Sequence, residues 1–320
     1  MLTFGADPEF ACALEYDDKK GGYYKIIPPA ALIQDYKIPF TVNNNNKRVL
    51  FSSDYYGDVI EDGAAIEINP KPEDTLIGVK NNTLELLKGF SLYLRNMDII
   101  VRFPMDPIGY FDVDKYWKNR DESFQDCVRF GCDPDIFPEY YLELGLEKEK
   151  PHEIDVSKHS YRYFGGHIHV GTKTKFDTTF CPIVFDFTLG LINAALHRQP
   201  EQIKLESARL QYYGHPGRCR IQKHGYEYRP PSNYWLFSSN SSLHSLEASI
   251  HLAMKIINAD MQKEFFFFAR DFIPDMWNIC LTLDKDAAKK MYSDVALRFC
   301  MERCLVKLSE IKSFTKLSYL

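Results

Sequence analysis

The 320-residue sequence predicts an α+β fold, and three observations support this. Short apolar runs separated by turn residues fill the first half of the chain, as expected for the strands of a sheet. Apolar residues spaced by three and four fill the last eighty residues, which is typical of packed helices. Polar residues recur at every second position in several strand-like runs, which places them on one face of a sheet. We therefore expect a sheet with one polar face and with helices packed against the other.

Four strand-like runs come first, at residues 9–15, 23–27, 47–52 and 58–69. The sequence DDKKGG separates the first two runs and suits a hairpin loop. The sequence EDG breaks the fourth run, and Pro70 ends it, because proline cannot donate a hydrogen bond to a sheet. These runs predict an early sheet with at least one hairpin.

The apolar period then changes from two to between three and four, which predicts a helix within residues 73–96. The run at 97–103 predicts a buried strand, and 104–158 predicts long connections with short elements. Further along, we expect helices starting near 178 and at 200–211, a hairpin turning at 223–225, and helices from about 240. With no repeat and no linker in the sequence, we expect one domain spanning 1–320.

Composition and charge exclude several classes of protein. The net charge of -5 and the pI near 6.0 do not favour a nucleic-acid partner. The N-terminus lacks the basic and apolar regions of a signal peptide, and the most apolar segment, 183–196, is too short to span a membrane. Eight cysteines without a CxxC motif indicate reduced thiols. We expect a cytoplasmic protein that binds neither nucleic acid nor membrane.

Polar residues two positions apart form five pairs, and this spacing is the main functional signal. The pairs are Asp7 and Glu9, Glu67 and Asn69, His167 and His169, Arg218 and Arg220, and Glu227 and Arg229. Clustered carboxylates would raise one another's pKa, and a divalent cation keeps them ionised. Oxygen-rich ligation favours Mg²⁺, or Mn²⁺, over Zn²⁺, and arginine binds phosphate through paired donors. Together these residues predict metal-assisted phosphoryl chemistry.

Each pair also has a simpler interpretation. A single pair is compatible with a solvated strand face, Asp7 with a terminal turn, and Arg218 and Arg220 with surface ion pairs. The glycines of GGHIHVG either allow close approach of a ligand or mark strand ends. The sequence lacks the GxxxxGK[ST] and strand-GxGxxG-helix motifs of common nucleotide sites.

Five segments together resemble a known family. They are GADPEF, DGAAIEINP, FGCDPD, GGHIHVG and RLQYYGHPGRCRIQKHGYEYRPPSNYWL, which lie between residue 5 and about 237. They are similar to the phage-type carboxylate-amine ligases, amidoligases of the glutamine synthetase-like superfamily related to glutamate-cysteine ligase. The resemblance implies a curved, mainly antiparallel sheet with a polar catalytic face. It also implies ATP-dependent amide formation through an acyl phosphate, with release of ADP and phosphate.

The resemblance also implies roles for individual residues. Glu9, Glu67, His167 and Glu227 resemble the ligands of the magnesium ions that bridge ATP phosphates. Asp7 departs from the ExE pattern of the wider superfamily, but it fits the DPE form of the phage-type branch and is expected to join them.

Contacts to phosphate follow from the same resemblance. Arg229 resembles the arginine that contacts the transferred phosphoryl group. Arg209, Arg218 and Arg220 are expected to neutralise phosphates or the acyl phosphate, and His169 to contact metal or phosphate.

Three aspartates complete the implied site. Asp62 is a candidate for removing a proton from the attacking amine or for binding substrate, with a turn residue as the alternative. Asp133 and Asp135 are candidates for recognising the amine, with a surface turn as the alternative.

Alternative functions remain open at this stage. A guanidino or amine kinase on a related fold, an inactive binding module and a metal hydrolase built around HxH share parts of the pattern. The expected substrates are an amine and a small-molecule or peptide carboxylate, with a protein substrate also open. The sequence does not determine whether the chain forms a homo-oligomer. Kinship to phage proteins would place the enzyme in a host cytoplasm.

Overall fold

The computed structural model describes residues 2–17, 23–118, 124, 137–146, 159–259 and 261–299. Within these residues the strands are β1 (Thr3–Ala6), β2 (Glu9–Phe10), β3 (Ala13–Asp17), β4 (Tyr23–Ile26), β5 (Thr41–Val42), β6 (Arg48–Ser53), β7 (Gly57–Asp62), β8 (Ala65–Pro70), β9 (Ile108–Tyr110), β10 (Tyr161–Tyr163), β11 (Ile168–Gly171), β12 (Cys219–Gln222) and β13 (Gly225–Tyr228). The α-helices are α1 (Pro29–Gln34), α2 (Leu76–Arg95), α3 (Glu139–Glu143), α4 (Phe180–Phe185), α5 (Leu191–Ala195), α6 (Pro200–Arg209), α7 (Asn240–Asn258), α8 (Gln262–Ala269), α9 (Ile273–Thr282) and α10 (Lys285–Phe299). A π-helical turn, Asp186–Gly190, joins α4 to α5.

The strands form three sheets. Their orders are β1-β11-β13-β12, β2-β8-β7-β6-β5 and β3-β4-β9-β10. Paired strands run antiparallel except β4 and β9, which are parallel. The predicted α+β class is therefore confirmed.

The first three strands connect the three sheets, because each belongs to a different one. Asp7 and Pro8 lie between β1 and β2, and the Pro8 carbonyl accepts a hydrogen bond from the Ile68 amide at 2.9 Å. The Glu9 amide donates to the Gly165 carbonyl, also at 2.9 Å. These bonds hold the first sheet beside the second at Asp7.

One face of the first sheet carries apolar and aromatic residues and is shielded from solvent. Ile168, Val170, Tyr226 and Tyr228 are buried on it. The Tyr226 ring stacks on Phe185 of α4, with a centroid distance of 4.4 Å. Burial of these large side chains supplies most of the driving force for packing helices on this face.

Helix boundaries follow local capping signals. Helix α2 begins after Thr75, whose side chain accepts a hydrogen bond from the Gly78 amide. Helix α7 begins after Ser239, which caps Ser242 in the same way. The predicted hairpin turning at 223–225 is also present, as β12 and β13.

Two strand predictions are wrong. The run at 97–103 contains no strand, although Ile99 and Val101 are buried and Ile100 is 70% exposed. Among the described residues, its one bridge joins Arg102 to Ala13. The run at 9–15 divides into β2 and β3, because the chain leaves one sheet and enters another between them.

None of the described helices has the length and apolarity needed to cross a membrane. The cysteines in the described part of the chain are free thiols: Cys12, Cys181, Cys219 and Cys280.

Candidate active site

Asp7, His167 and Glu227 form the centre of the polar face. One ligand atom from each residue lies within 4.8 Å of the other two. Asp7 Oδ1 is 3.0 Å from His167 Nδ1, and the same nitrogen is 3.5 Å from Glu227 Oε1. The histidine and the glutamate are buried. We call these three residues the central cluster.

Strand register explains why the central cluster forms. Ala6 of β1 lies opposite Ile168 of β11, so the next residue along, Asp7, comes beside His167. On the other side of β11, His169 lies opposite Glu227 of β13. Because facing residues of paired strands point to the same side of a sheet, the polar residues meet on one face.

Glu227 is held by donors from its own hairpin. It accepts hydrogen bonds from Arg229 Nη1 and, at 2.8 Å, from Gln222 Nε2. Arg220 Nη1 lies 3.7 Å from its second carboxylate oxygen. Burial and the charge of Asp7 raise the pKa of Glu227, but the positive charges of His167, Arg229 and His169 outweigh them and lower it. Glu227 is therefore a carboxylate at neutral pH.

Asp7 lies between two imidazoles, since His169 Nε2 is 3.3 Å from its Oδ1. Burial raises the pKa of Asp7, and the charges of His167 and His169 more than offset this, so it lies well below the usual range. Burial lowers the pKa of His169, but Asp7 and Glu227 raise it overall.

Three buried atoms of this group face one another without a well-aligned hydrogen bond: Asp7 Oδ1, His167 Nδ1 and His169 Nε2. Buried polar atoms normally have a partner, and a cation between them would provide one. The donor set therefore fits a metal ion.

A second acidic group adjoins the central cluster. Glu9 and Glu67 are direct partners across β2 and β8. Glu9 Oε2 accepts from the Gly165 amide at 2.7 Å, and Glu67 Oε1 accepts from Asn69 Nδ2 at 2.9 Å. Burial raises the pKa of both glutamates, and the charges of Asp7 and Asp62 raise that of Glu67 further. This excess of negative charge is what a divalent cation would relieve.

Asp62 lies at the end of β7, beside this second acidic group. It forms an ion pair with Lys47 Nζ and is partly exposed. Its charge acts on both Glu9 and Glu67. Asp62 therefore lies beside the second acidic group and is itself partly open to solvent.

The four predicted arginines divide into two groups. Arg220 and Arg229 lie at the central cluster, as described above. Arg209 is buried, and its guanidinium donates to the carbonyls of Phe164 (2.8 Å) and Pro230 (3.0 Å) and to Glu206 (3.0 Å). The Arg218 guanidinium lies 4.6 Å from the centre of the Phe137 ring. The structure therefore holds Arg209 by buried contacts, which include the Tyr213 ring at 5.0 Å, and it places Arg218 beside Phe137.

Tyr213 belongs to the site but was not predicted. Its hydroxyl lies 3.0 Å from His167 Nε2 and accepts from Arg229 Nη2 at 3.3 Å. It lies in the irregular loop between α6 and β12, where no periodicity indicates which way a side chain points. Its only signal in the sequence was its place inside a family-like segment.

Two glycines are required by close contacts. A Cβ at Gly165 would lie 2.5 Å from His167 Nε2. The group that approaches Gly165 closely is therefore the imidazole of His167. Gly214 has a φ of +85°, and a Cβ there would lie 2.3 Å from the Arg209 guanidinium. Gly165 therefore leaves room for His167 of the central cluster, and Gly214 leaves room for the buried Arg209. The predicted amine-binding residues Asp133 and Asp135 lie outside the described residues.

No protein-family model matches the chain, and a comparison with curated proteins finds no significant match.

Proposed function

We propose that this protein is an ATP-dependent carboxylate-amine ligase with a glutamine synthetase-like catalytic fold. One observation carries the proposal. Asp7, His167 and Glu227 converge on the polar face of an antiparallel sheet, with the guanidinium groups of Arg220 and Arg229 directed at the same glutamate. Carboxylates and imidazole beside arginine suit a metal-nucleotide complex.

The central cluster and the second acidic group would together hold the metal. Asp7, Glu9, Glu67, His167 and Glu227 are the proposed ligands for Mg²⁺, with Mn²⁺ as a substitute. The ion supplies positive charge to the phosphates of ATP. The raised pKa values of Glu9 and Glu67 support the proposal, because a cation would keep these carboxylates ionised.

In the proposed reaction a substrate carboxylate oxygen attacks the γ-phosphorus of ATP, and the bond to the ADP oxygen breaks. The amine then attacks the acyl phosphate carbon, phosphate leaves with the bonding electrons, and the amine loses a proton. Arg229 and Arg220 would stabilise charge on the transferred phosphoryl group. His169 would contact metal or phosphate.

Asp62 is the proposed group for the amine. Its partial exposure beside Glu9 and Glu67 supports this role, in which it would bind an incoming ammonium or accept its proton. The substrate class remains a small-molecule, peptide or protein carboxylate with an amine. We expect the reaction to take place in the cytoplasm, with self-association still to be measured.

The test is incubation of the purified protein with ATP, Mg²⁺ and pooled carboxylates and amines. ADP release and amide formation are measured together, the latter by mass spectrometry. The ligase should produce both in equal amounts, and Glu227→Ala should produce neither. Glu85→Gln is the matched control, since Glu85 lies on the outer surface of α2 beside Lys88.

Two outcomes contradict the proposal. A stable phosphorylated amine without amide would identify a kinase. If no pool yields ADP above background and Glu227→Ala binds ATP as well as the wild type does, the ligase assignment is wrong.

A further inference from the structure

A group of aromatic side chains lies on the surface beside the site and has no role in the proposed chemistry. We call it the aromatic surface; it consists of His159, Tyr161, Tyr163 and Tyr212. The rings of Tyr163 and Tyr212 are stacked, with a centroid distance of 5.2 Å and an interplanar angle of 22°. His159 contacts both rings, at 5.3 Å from Tyr212 and 5.8 Å from Tyr163.

Two chain segments connect the aromatic surface to the central cluster. Tyr212 directly precedes Tyr213, whose hydroxyl contacts His167 and Arg229. In the second segment, Tyr163 is the last residue of β10, and His167 follows it by four residues. The same two chain segments therefore build both the aromatic surface and the central cluster.

These rings are only partly removed from water. Tyr212 is 39% exposed, and Tyr161 and Tyr163 are half-buried. Contiguous exposed aromatic area on a protein usually marks a binding site. The surface thus has uncovered ring area at the edge of a charged site.

The chemistry of the aromatic surface favours a planar ring over a charged group. The nearby Arg162 is buried, and it donates to the backbone carbonyls of His159 and Tyr161, so its charge is used inside the protein. The His159 ring nitrogen lies 3.1 Å from the Tyr163 hydroxyl, which occupies polar atoms of both rings. The exposed area of the Tyr212 ring can bind another π system by stacking.

We propose that the aromatic surface binds the base of the nucleotide, with Tyr212 as the main stacking residue. This inference depends on the proposed function, which puts the phosphates of the same nucleotide at the central cluster. A nucleotide bound in this way would pass from Tyr212 over Tyr213 to Arg229. Stacking accepts any base, because every base has a π face.

The experiment compares two ligands that share the phosphate end and differ in the base. Binding of ATP and of inorganic tripolyphosphate is measured by calorimetry with Mn²⁺ present, for the wild type, Tyr212→Ala and Tyr212→Phe. Tyr55→Ala is the matched control, since Tyr55 is an 82% exposed tyrosine in the turn between β6 and β7. All four proteins are first checked for equal thermal unfolding temperatures.

We expect ATP to bind the wild type at least tenfold more tightly than tripolyphosphate does. Tyr212→Ala should weaken ATP binding by about tenfold and leave tripolyphosphate unchanged, because only the base loses its stacking partner. Tyr212→Phe should retain most of the ATP affinity, and Tyr55→Ala should match the wild type.

The possible failures are distinguishable. If both ligands bind and Tyr212→Ala does not change the affinity for ATP, the base site is elsewhere and the proposed function still stands. If ATP and tripolyphosphate bind the wild type with equal affinity, the base contributes nothing to binding, and the aromatic surface is not its site. If neither ligand binds with Mn²⁺, the proposed function and this inference are both wrong.

Discussion

Asp7 Oδ1 lies 3.0 Å from His167 Nδ1, yet these two buried atoms form no well-aligned hydrogen bond. Their separation and their place beside Glu227 are compatible with joint ligation of one ion. A buried contact between a carboxylate and an imidazole is costly unless charge and hydrogen bonding are both satisfied. This pair is therefore the most direct place to test for a metal.

Substitution of the central cluster should remove metal binding. We expect Asp7→Asn and Glu227→Gln each to weaken Mn²⁺ binding by at least tenfold, because each loses a charged oxygen ligand. The measurement is titration of Mn²⁺ followed by electron paramagnetic resonance of the free ion. Glu85→Gln should bind like the wild type. Unchanged affinity in Asp7→Asn would remove this residue from the ligand set.

Gly165→Ala should displace His167 without unfolding the protein. The added methyl group would meet His167 Nε2 at 2.5 Å, so the imidazole has to shift, and its 3.0 Å contact with the Tyr213 hydroxyl is disturbed. We expect weaker Mn²⁺ binding, measured as above. Gly5→Ala is the matched control, because its methyl group would contact His169 Cβ at an ordinary 3.4 Å. Equal behaviour of the two variants would mean that the histidine position is not critical.

The two arginine groups should respond differently to loss of charge. Arg209→Met leaves Glu206 and several backbone carbonyls without their buried donor, and we expect the free energy of unfolding to fall by about 3 to 5 kcal/mol. Arg220 is partly exposed, so Arg220→Met should cost about 1 kcal/mol or less.

Urea denaturation measures both costs. Tripolyphosphate binding should show the opposite order: Arg220→Met should lose more affinity than Arg209→Met. Equal stability of the two variants would contradict a framework role for Arg209.

Stability should depend on pH through Asp186, which lies behind the sheet. Its carboxyl accepts hydrogen bonds from Tyr141 and Tyr228, both at 2.8 Å. Burial raises its pKa from 3.8 to about 7, although the Gly217 amide and the two tyrosines oppose the shift. The folded state therefore holds this proton more tightly than the unfolded chain does.

The sign of the effect follows from that difference. The contribution of the neutral carboxyl is complete below pH 3.8 and is lost as the pH rises to about 7. Its size is on the order of 4 kcal/mol, since one pKa unit corresponds to about 1.4 kcal/mol.

The check is a comparison of Asp186→Asn with the wild type by urea unfolding at several pH values between 4 and 8. The variant cannot lose a proton at this position, so the wild type should lose stability relative to it as the pH rises. A constant difference across this range would show that Asp186 does not titrate there.

Local spacing predicted the faces of the strands well. His167 and His169 both contact Asp7, and Glu227 contacts Arg229, as expected for residues that alternate with a period of two along a strand. Helix α2 was equally predictable from its apolar stripe. These properties depend on residues a few positions apart, so a sequence contains them directly.

Two strand predictions failed because strand formation depends on pairing with residues far away in the sequence. Residues 97–103 alternate in burial like a strand, but within the part of the chain that the structure describes they form one bridge, to Ala13. The run at 9–15 reads as one strand, although its two ends pair in different sheets. Whether an extended run becomes a strand depends on a partner that is distant in sequence.

The sequence by itself determined the fold class and which polar side chains face the same way along each strand. Only the tertiary structure decided which of them meet. It brings Tyr213 to His167 and Arg229, and it places Arg209 in the interior against backbone carbonyls. The physical reason is that alternation is a local property of the backbone, whereas the neighbours of a loop tyrosine or a buried arginine depend on how distant segments pack.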